Sequence, residues 1–301
     1  MDQAVAVRDM RALLAHTLQE LLASVSEADR SRVTDALSAL LERASQGELE
    51  QVLTRVSSED YAFGYHAPIE LARSVQYLLA DATLTADSHI EGVEHLRELD
   101  GRSAILLPNH LSYSDANVME VMFHRAGLDG LCRRLTAVAG PKVYSEPWKR
   151  FSSLCFGTIK TAQSAQVASG EARMRPRDVA RIAQQTIACA FERLDAGDAL
   201  LLFPEGSRSR DGTLQALLPA VARYCERPGT WLVPIGIEGT ERLMGLAERT
   251  LQPARVVLRV GAGVRAEELC ARHDGSRAHV ARALGGMIAE LLSAEYRGVY
   301  A

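Results

Sequence analysis

His110 and Asp115, five positions apart in Pro108-Asn109-His110-Leu111-Ser112-Tyr113-Ser114-Asp115, are the residue types of a general base and its orienting carboxylate. On a regular helix, residues five apart diverge by about 140°. The two side chains can therefore meet only if His110 lies in a loop and Asp115 in or near the first turn of the following helix, with Asn109, Ser112 and Ser114 tightening the turn. The carboxylate would then fix one imidazole nitrogen while the other takes the proton of a substrate hydroxyl, leaving an oxygen suited to attack an acyl carbon. A helix cap is the competing reading, and for an isolated His-x4-Asp it holds the larger share.

A second polar segment, Phe203-Pro204-Glu205-Gly206-Ser207-Arg208-Ser209-Arg210, changes that weighting. Gly206 and Ser207 place backbone amides in a turn, and Arg208 and Arg210 supply planar, permanently charged forks suited to phosphate or carboxylate. Glu205 is expected to orient an arginine or to bind an acceptor hydroxyl; a solvated Glu205–Arg208 pair is the plainer alternative. Each segment follows a short apolar run, Ala104 to Leu107 and Ala199 to Phe203. That puts both at the ends of buried strands, where open α/β sheets carry their chemistry.

The elements that must hold these segments are of two textures. Over residues 1–80 the spacing predicts helices: Met10, Leu14, Leu18, Leu21 and Val25 form one stripe, and Val33, Leu37, Leu40, Leu41 and Ala44 form another, started by Ser26 and Asp29. Gly47 is expected to end or bend the second helix. Leu49, Val52, Leu53 and Val56 continue the stripe, and Pro68 suits the first turn of a helix running through Ala80. Over residues 81–301 short apolar runs alternate with helical stretches: Leu84 to Ile90, Ser103 to Leu107, Leu135 to Ala139, Gly157 to Thr161, Ala199 to Phe203, Trp231 to Ile237 and Arg255 to Val260. The expectation is an α/β fold, a mixed and largely parallel sheet flanked by helices, with a smaller all-helical domain at residues 1–80. Val179 to Leu194 and the stretch from Val280 to Leu292 have the period of packing helices.

Composition narrows the function classes. A chain of 301 residues with net charge -4 can bury a full core and is a poor match to nucleic acid as main partner. Five scattered cysteines, at 132, 155, 189, 225 and 270, without Cys-x-x-Cys spacing read as reduced structural thiols of an intracellular protein. No apolar run reaches the roughly 18 residues of a membrane span, and Asp2, Arg8 and Arg11 interrupt any signal-peptide core. The expected location is cytoplasmic, with peripheral contact at the inner face of a membrane as an extension. His66, His89 and His124 have no companions that argue for metal, and there is no Gly-x-Ser-x-Gly elbow. Arg173, Arg175, Arg177 and Arg181 form a local basic cluster beside Glu171 and Asp178. It is either a dock for an acidic carrier protein, coenzyme A phosphates or anionic lipid heads, or a solvated charged segment.

The segments NHLSYSD and FPEGSRS together resemble the signature blocks of the glycerolipid acyltransferase family, which includes glycerol-3-phosphate and lysophosphatidate acyltransferases. HIEGVEHL, before the first block, and Val233-Pro234-Ile235-Gly236-Ile237, after the second, are similar to two weaker blocks, so the resemblance spans roughly residues 88–264. Val138 to Pro147 is similar to a stretch of the soluble plastid glycerol-3-phosphate acyltransferases of plants. The resemblance implies His110 as general base, Asp115 as its partner and Glu205, Gly206, Ser207, Arg208 and Arg210 as the acceptor site. It also implies a coenzyme A or acyl carrier protein thioester as donor and no further cofactor. The chain departs from the family pattern after Gly157-Thr158-Ile159-Lys160, where the usual arginine is missing; Lys160 or Lys142 is expected to substitute. Ala216 to Ala220 also lacks the basic, glycine-containing segment common after the family's equivalent of FPEGSRS, which leaves open an acceptor without phosphate. Two other classes stay in view: a hydrolase that activates water with the same pair, and a non-catalytic lipid or carrier-protein module.

Overall fold

Ala104, Ile105, Leu106 and Leu107 are fully buried, and the strand they form lies inside the sheet with a neighbour on each side. A strand covered on both faces needs apolar residues at every position, which is why this run shows no alternation. The computed structural model describes residues 21–58, 62–162, 174–244 and 250–301, together with Ala12. Among these the strands are β1 (Gly64–His66), β2 (His89–Glu91), β3 (Ala104–Pro108), β4 (Leu135–Ala139), β5 (Gly157–Lys160), β6 (Ala199–Leu201), β7 (Trp231–Glu238), β8 (Val257–Val260) and β9 (Val264–Arg265). They make one mixed sheet in the order β1-β5-β4-β6-β3-β7-β8-β2, with β9 beside β7. The inner pairs β5–β4, β4–β6, β6–β3 and β3–β7 are parallel, whereas β1–β5, β7–β8 and β7–β9 are antiparallel. The expected α/β class with a largely parallel sheet is the observed one.

Register brings the two polar segments together. Leu106 of β3 stands opposite Leu201 of β6, and the Leu202 amide donates to the Leu106 carbonyl at 3.0 Å. Because the strands are parallel, both chains leave the sheet at the same edge, side by side. On the other flank β3 pairs with β7 as far as Pro108 opposite Ile235. Past that point Asn109, wholly buried, takes over the ladder with its side chain: Nδ2 donates to the Ile237 carbonyl at 2.9 Å, and Oδ1 accepts from the Ile237 amide at 2.6 Å. The amide side chain thus imitates one more residue of strand and lets the main chain turn away toward His110.

The segment before residue 80 is tied to the same core. Helices Glu27–Arg43, Gln46–Ser57 and Glu70–Thr83 contribute Leu37, Leu49, Val52 and Val75 to the hydrophobic cluster that holds the sheet. Ser26 caps the first of them, its Oγ accepting from the Asp29 amide at 3.2 Å, as its spacing indicated. The break near Gly47 differs from expectation. The first helix stops at Ala44, Ser45 and Glu48 form a reciprocal capping box, and Gly47 lies inside the next helix. Pro68 stands ahead of its helix and not in the first turn, since Ile69 is the N-cap. Within the stretch read as wholly helical, β1 pairs with β5 at the sheet edge. The stripe positions Met10, Leu14 and Leu18 lie outside the described residues.

Asn109→Ala would strip partners from the buried amide and carbonyl of Ile237. The expected loss is about 3 kcal/mol of folding stability, read from the shift of a urea unfolding curve.

Candidate active site

The turn after β3 is built around one carboxylate oxygen. Asp115 opens the helix Asp115–Arg125 and is fully buried. Its Oδ2 accepts from His110 Nδ1 at 2.7 Å, the Leu111 amide at 2.7 Å and the Ser112 amide at 3.0 Å, while Oδ1 is buried without a partner. His110 thus sits in the loop and Asp115 in the first helical turn, the arrangement that their five-residue separation demands. A negative group at that helix end also faces the positive pole of the helix. With Nδ1 donating to Asp115, the neutral ring carries its lone pair on Nε2, the nitrogen left for the cavity that His110 lines. Ser112 Oγ donates to the Met244 carbonyl at 2.9 Å and pins the turn to the C-terminal end of the short helix Thr240–Leu243 that follows β7.

The second segment grips the histidine from behind. Glu205 Oε1 accepts from the His110 amide at 2.7 Å, and the Ser209 amide donates to the His110 carbonyl at 2.7 Å. The ring of Phe203 stacks on the imidazole with centroids 4.0 Å apart. Glu205 Oε2 accepts from the Gln215 amide at 2.8 Å, so both oxygens of this buried carboxyl are engaged by main chain. Among the described residues Glu205 makes no ion pair with Arg208, and the contacts observed are those of a residue that holds the His110 loop. Burial pushes its pKa up to about 8, outweighing the two amides that favour the charge, with Asp115 and Asp211 pushing the same way. Gly206 follows with φ of 72°, and a Cβ there would meet Leu218 Cδ1 at 2.3 Å. Only glycine allows the chain to make this turn beneath Leu218.

A cavity of about 550 Å³ opens in front of these groups. Gly206, Ser207, Arg208, Arg210 and Lys142 all line it; Arg210 and Lys142 are exposed, while Arg208 is half-buried. The Arg208 guanidinium lies 3.4 Å from the centroid of the Tyr113 ring, and its Nη1 is buried with no hydrogen-bond partner. Desolvation lowers its pKa, opposed by Tyr113 and Asp115. A guanidinium so held can donate to an anion that enters the cavity. Lys160 does not line the cavity; its ammonium stands over the rings of Phe63 and Tyr144 at 5.3 and 5.1 Å.

Sequence reasoning missed three lining residues, Tyr113, Trp148 and Lys149. Lys149 is buried, donates to Glu146, and holds Nζ 4.5 Å from the Tyr113 centroid and 5.2 Å from the Trp148 centroid. Nothing in the local pattern of Trp148 and Lys149 marks them as facing the cavity. A smaller apolar cavity of about 100 Å³ shares Tyr113, Asn117, Trp148 and Ser152 with the first and continues between Leu79, Ala80, Val118 and Val121. Among the described residues no group of three or more His, Cys, Asp or Glu could hold a metal ion.

Fold and site together define an α/β protein with a carboxylate-oriented histidine and a cation-bearing pocket at the carboxyl edge of a parallel sheet. The chain belongs to the Acyltransferase family, whose profile matches residues 87–238. Among solved structures it is similar to the 1-acyl-sn-glycerophosphate (LPA) acyltransferase PlsC from Thermotoga maritima. That likeness has a TM-score of 0.44 and 16% sequence identity, over 94% of this chain and 95% of that one. No curated protein matches it.

The raised pKa of Glu205 has a definite sign for stability. The folded protein holds this proton more tightly than the unfolded chain, so the group makes stability fall as pH rises from 4.5 toward about 8, and level off above. In Glu205→Gln that slope should vanish, and overall stability should drop because one of the two amides faces the new NH2. Urea midpoints across this pH range measure both.

Proposed function

We propose that the protein transfers a fatty acyl group from a thioester to a hydroxyl of glycerol 3-phosphate or a lysophospholipid. The observation that carries this reading is His110, held by Asp115 through Nδ1, facing a cavity that also contains the unpaired Nη1 of Arg208. His110 Nε2 removes the acceptor hydroxyl proton, and the oxygen attacks the thioester carbonyl carbon. The resulting tetrahedral adduct collapses with cleavage of the C–S bond, and the imidazolium returns its proton to the departing thiolate. Asp115 keeps the ring in the productive tautomer and stabilises the imidazolium while it exists. Membership of the Acyltransferase family supports the reaction class.

Arg208, with Arg210, Lys142 and Lys149 around the same cavity, binds the acceptor phosphate, and Gly206 and Ser207 give it close approach to the turn. The acyl chain enters the apolar branch between Leu79, Ala80, Val118 and Val121. The donor is carried by coenzyme A or acyl carrier protein. Arg175, Arg177 and Arg181, exposed at the start of the helix Pro176–Asp195, offer the charge for its phosphates or acidic surface, while Arg173 lies outside the described residues. No metal or further cofactor enters this scheme, and nucleic acid has no part in it. Among the described residues no helix is long and apolar enough to cross a membrane. The reading puts the enzyme in the cytoplasm, meeting its lipid product peripherally at the inner face of a membrane.

A non-phosphate acceptor is the second reading, favoured by the position of Lys160 away from the cavity. Incubation with acyl thioesters and a panel of phosphorylated and non-phosphorylated alcohols, with products weighed by mass spectrometry, separates the two; acceptor-independent fatty acid release would identify a hydrolase instead.

His110→Ala should lower acceptor-dependent thioester consumption by about 10³-fold or more, and full turnover in that variant would sink the mechanism. Arg208→Ala should raise the KM for a phosphorylated acceptor by about tenfold or more while moving the donor KM little; equal effects on both would take the phosphate away from this arginine.

A further inference from the structure

The last turn of the chain, Gly298–Tyr300, lies far in sequence from His110 yet is joined to it by an unbroken series of contacts. Tyr296 and Val299 pair with the loop after the second polar segment. The Leu214 amide donates to the Tyr296 carbonyl at 2.8 Å, and the Val299 amide donates to the Leu214 carbonyl at 3.2 Å. The Leu217 amide donates to the Tyr300 hydroxyl at 3.3 Å. Between Leu214 and Leu217 stands Gln215, whose amide is one of the two donors on Glu205, and the other donor is the His110 amide.

The turn is seated by two glycines. Gly298 has φ of 54°, and a Cβ there would lie 2.1 Å from the Leu214 carbonyl oxygen. Gly285, inside the helix Arg277–Glu290, gives the Tyr300 ring its seat: a Cβ on it would be 2.1 Å from Tyr300 Cζ and 2.2 Å from the hydroxyl oxygen. Glycine inside a helix costs about 1 kcal/mol relative to alanine. Its presence here is explained by the aromatic ring packed against it.

We propose that Tyr300, seated on Gly285, is a positioning residue for His110: it fixes the loop 213–217, the loop fixes Glu205, and Glu205 fixes the histidine main chain. Tyr300 acts only through this series. The role presumes His110 as the base in the acyl-transfer reading, but the mechanical part of the proposal is independent of any activity.

The test uses the full chain and two readouts, acyl transfer from an acyl-coenzyme A to the acceptor that the wild type uses, and hydrogen exchange at the His110 and Gln215 amides. Gly285→Ala, which displaces the ring, and Tyr300→Ala, which removes it without a clash, should each lower kcat by about tenfold or more. Acceptor and donor KM should stay within about twofold. Exchange at both amides should quicken in the folded protein. Tyr300→Phe, which keeps the ring on Gly285 but removes the acceptor of the Leu217 amide, should lower kcat in the same direction as Tyr300→Ala and by a smaller factor, about two- to fivefold. The double variant should lose no more than Tyr300→Ala alone, because the clash has no target once the ring is gone. Unchanged kcat in Tyr300→Ala, or lost kcat with unaltered exchange at His110, would overturn the strap. If the wild type transfers no acyl group, it is the functional reading that falls, and amide exchange still decides whether the strap holds His110.

Discussion

The site depends on the way a single residue, Glu205, receives two main-chain amides that come from opposite directions. His110 donates to one oxygen and Gln215 to the other, with both bonds under 3 Å and the carboxyl buried. A neutral amide side chain has only one acceptor oxygen and would turn donors toward the second amide. A carboxyl presents an acceptor oxygen to each amide, and desolvation of its charged form is the cost of that geometry. The neighbouring bond from the Ser209 amide to the His110 carbonyl completes the grip, so the histidine main chain is held at both its polar groups by one short segment. In the proposed acyl-transfer reading, where general-base catalysis tolerates little misplacement of the accepting nitrogen, the parts of the structure that hold Glu205 serve the same end as those that touch a ligand.

Charge in the pocket is arranged around an aromatic ring. Arg208 and Lys149 both approach Tyr113, at 3.4 and 4.5 Å from its centroid. The ring face attracts each of them and offers no hydrogen bond in return. Lys149 has Glu146 as counter-ion, whereas Arg208 keeps a buried nitrogen without an acceptor. The negative partner in reach of Arg208 electrostatically is Asp115, which is already committed to His110 and two amides. The net effect is a cationic pocket wall next to a histidine whose own carboxylate is buried behind the turn.

How much of this was legible in the sequence follows from the range of each interaction. Strands β3, β4, β6 and β7 announce themselves because continuous burial demands continuous apolar runs. Strand β1 does not: Gly64, Tyr65 and His66 are half-buried at an edge, and three mixed residues leave no pattern. The two-residue β9 is likewise below what periodicity can resolve. Near Gly47 the local signal was present but outvoted; Ser45 and Glu48 spell a capping box, and glycine drew attention to the wrong boundary. The spacing of His110 and Asp115 fixed where each must lie if they meet, and the second polar segment tipped the reading toward their meeting. The task of Asn109 was not legible, since its partner Ile237 is 128 positions away and only the sheet order brings them together. The same holds for the main-chain contacts of Glu205: its expected tasks were to orient an arginine or bind an acceptor hydroxyl, and nothing local says that two amides converge on it.

The two readings of His-x4-Asp that the sequence left open prove not to be exclusive. Asp115 Oδ2 satisfies the amides of Leu111 and Ser112, which is the work of a cap, and the same oxygen receives Nδ1 of His110, which is the work of an orienting partner. Sharing one oxygen between the tasks ties the ring's partner to the fold of the loop, because any movement of Asp115 that frees the imidazole also uncaps the turn. That coupling removes the slack that a long separate carboxylate arm would allow, and it uses a side chain too short to reach anything else. The opposite oxygen, Oδ1, is buried and unbonded, which leaves the carboxylate no competing anchor that would draw it away from the histidine.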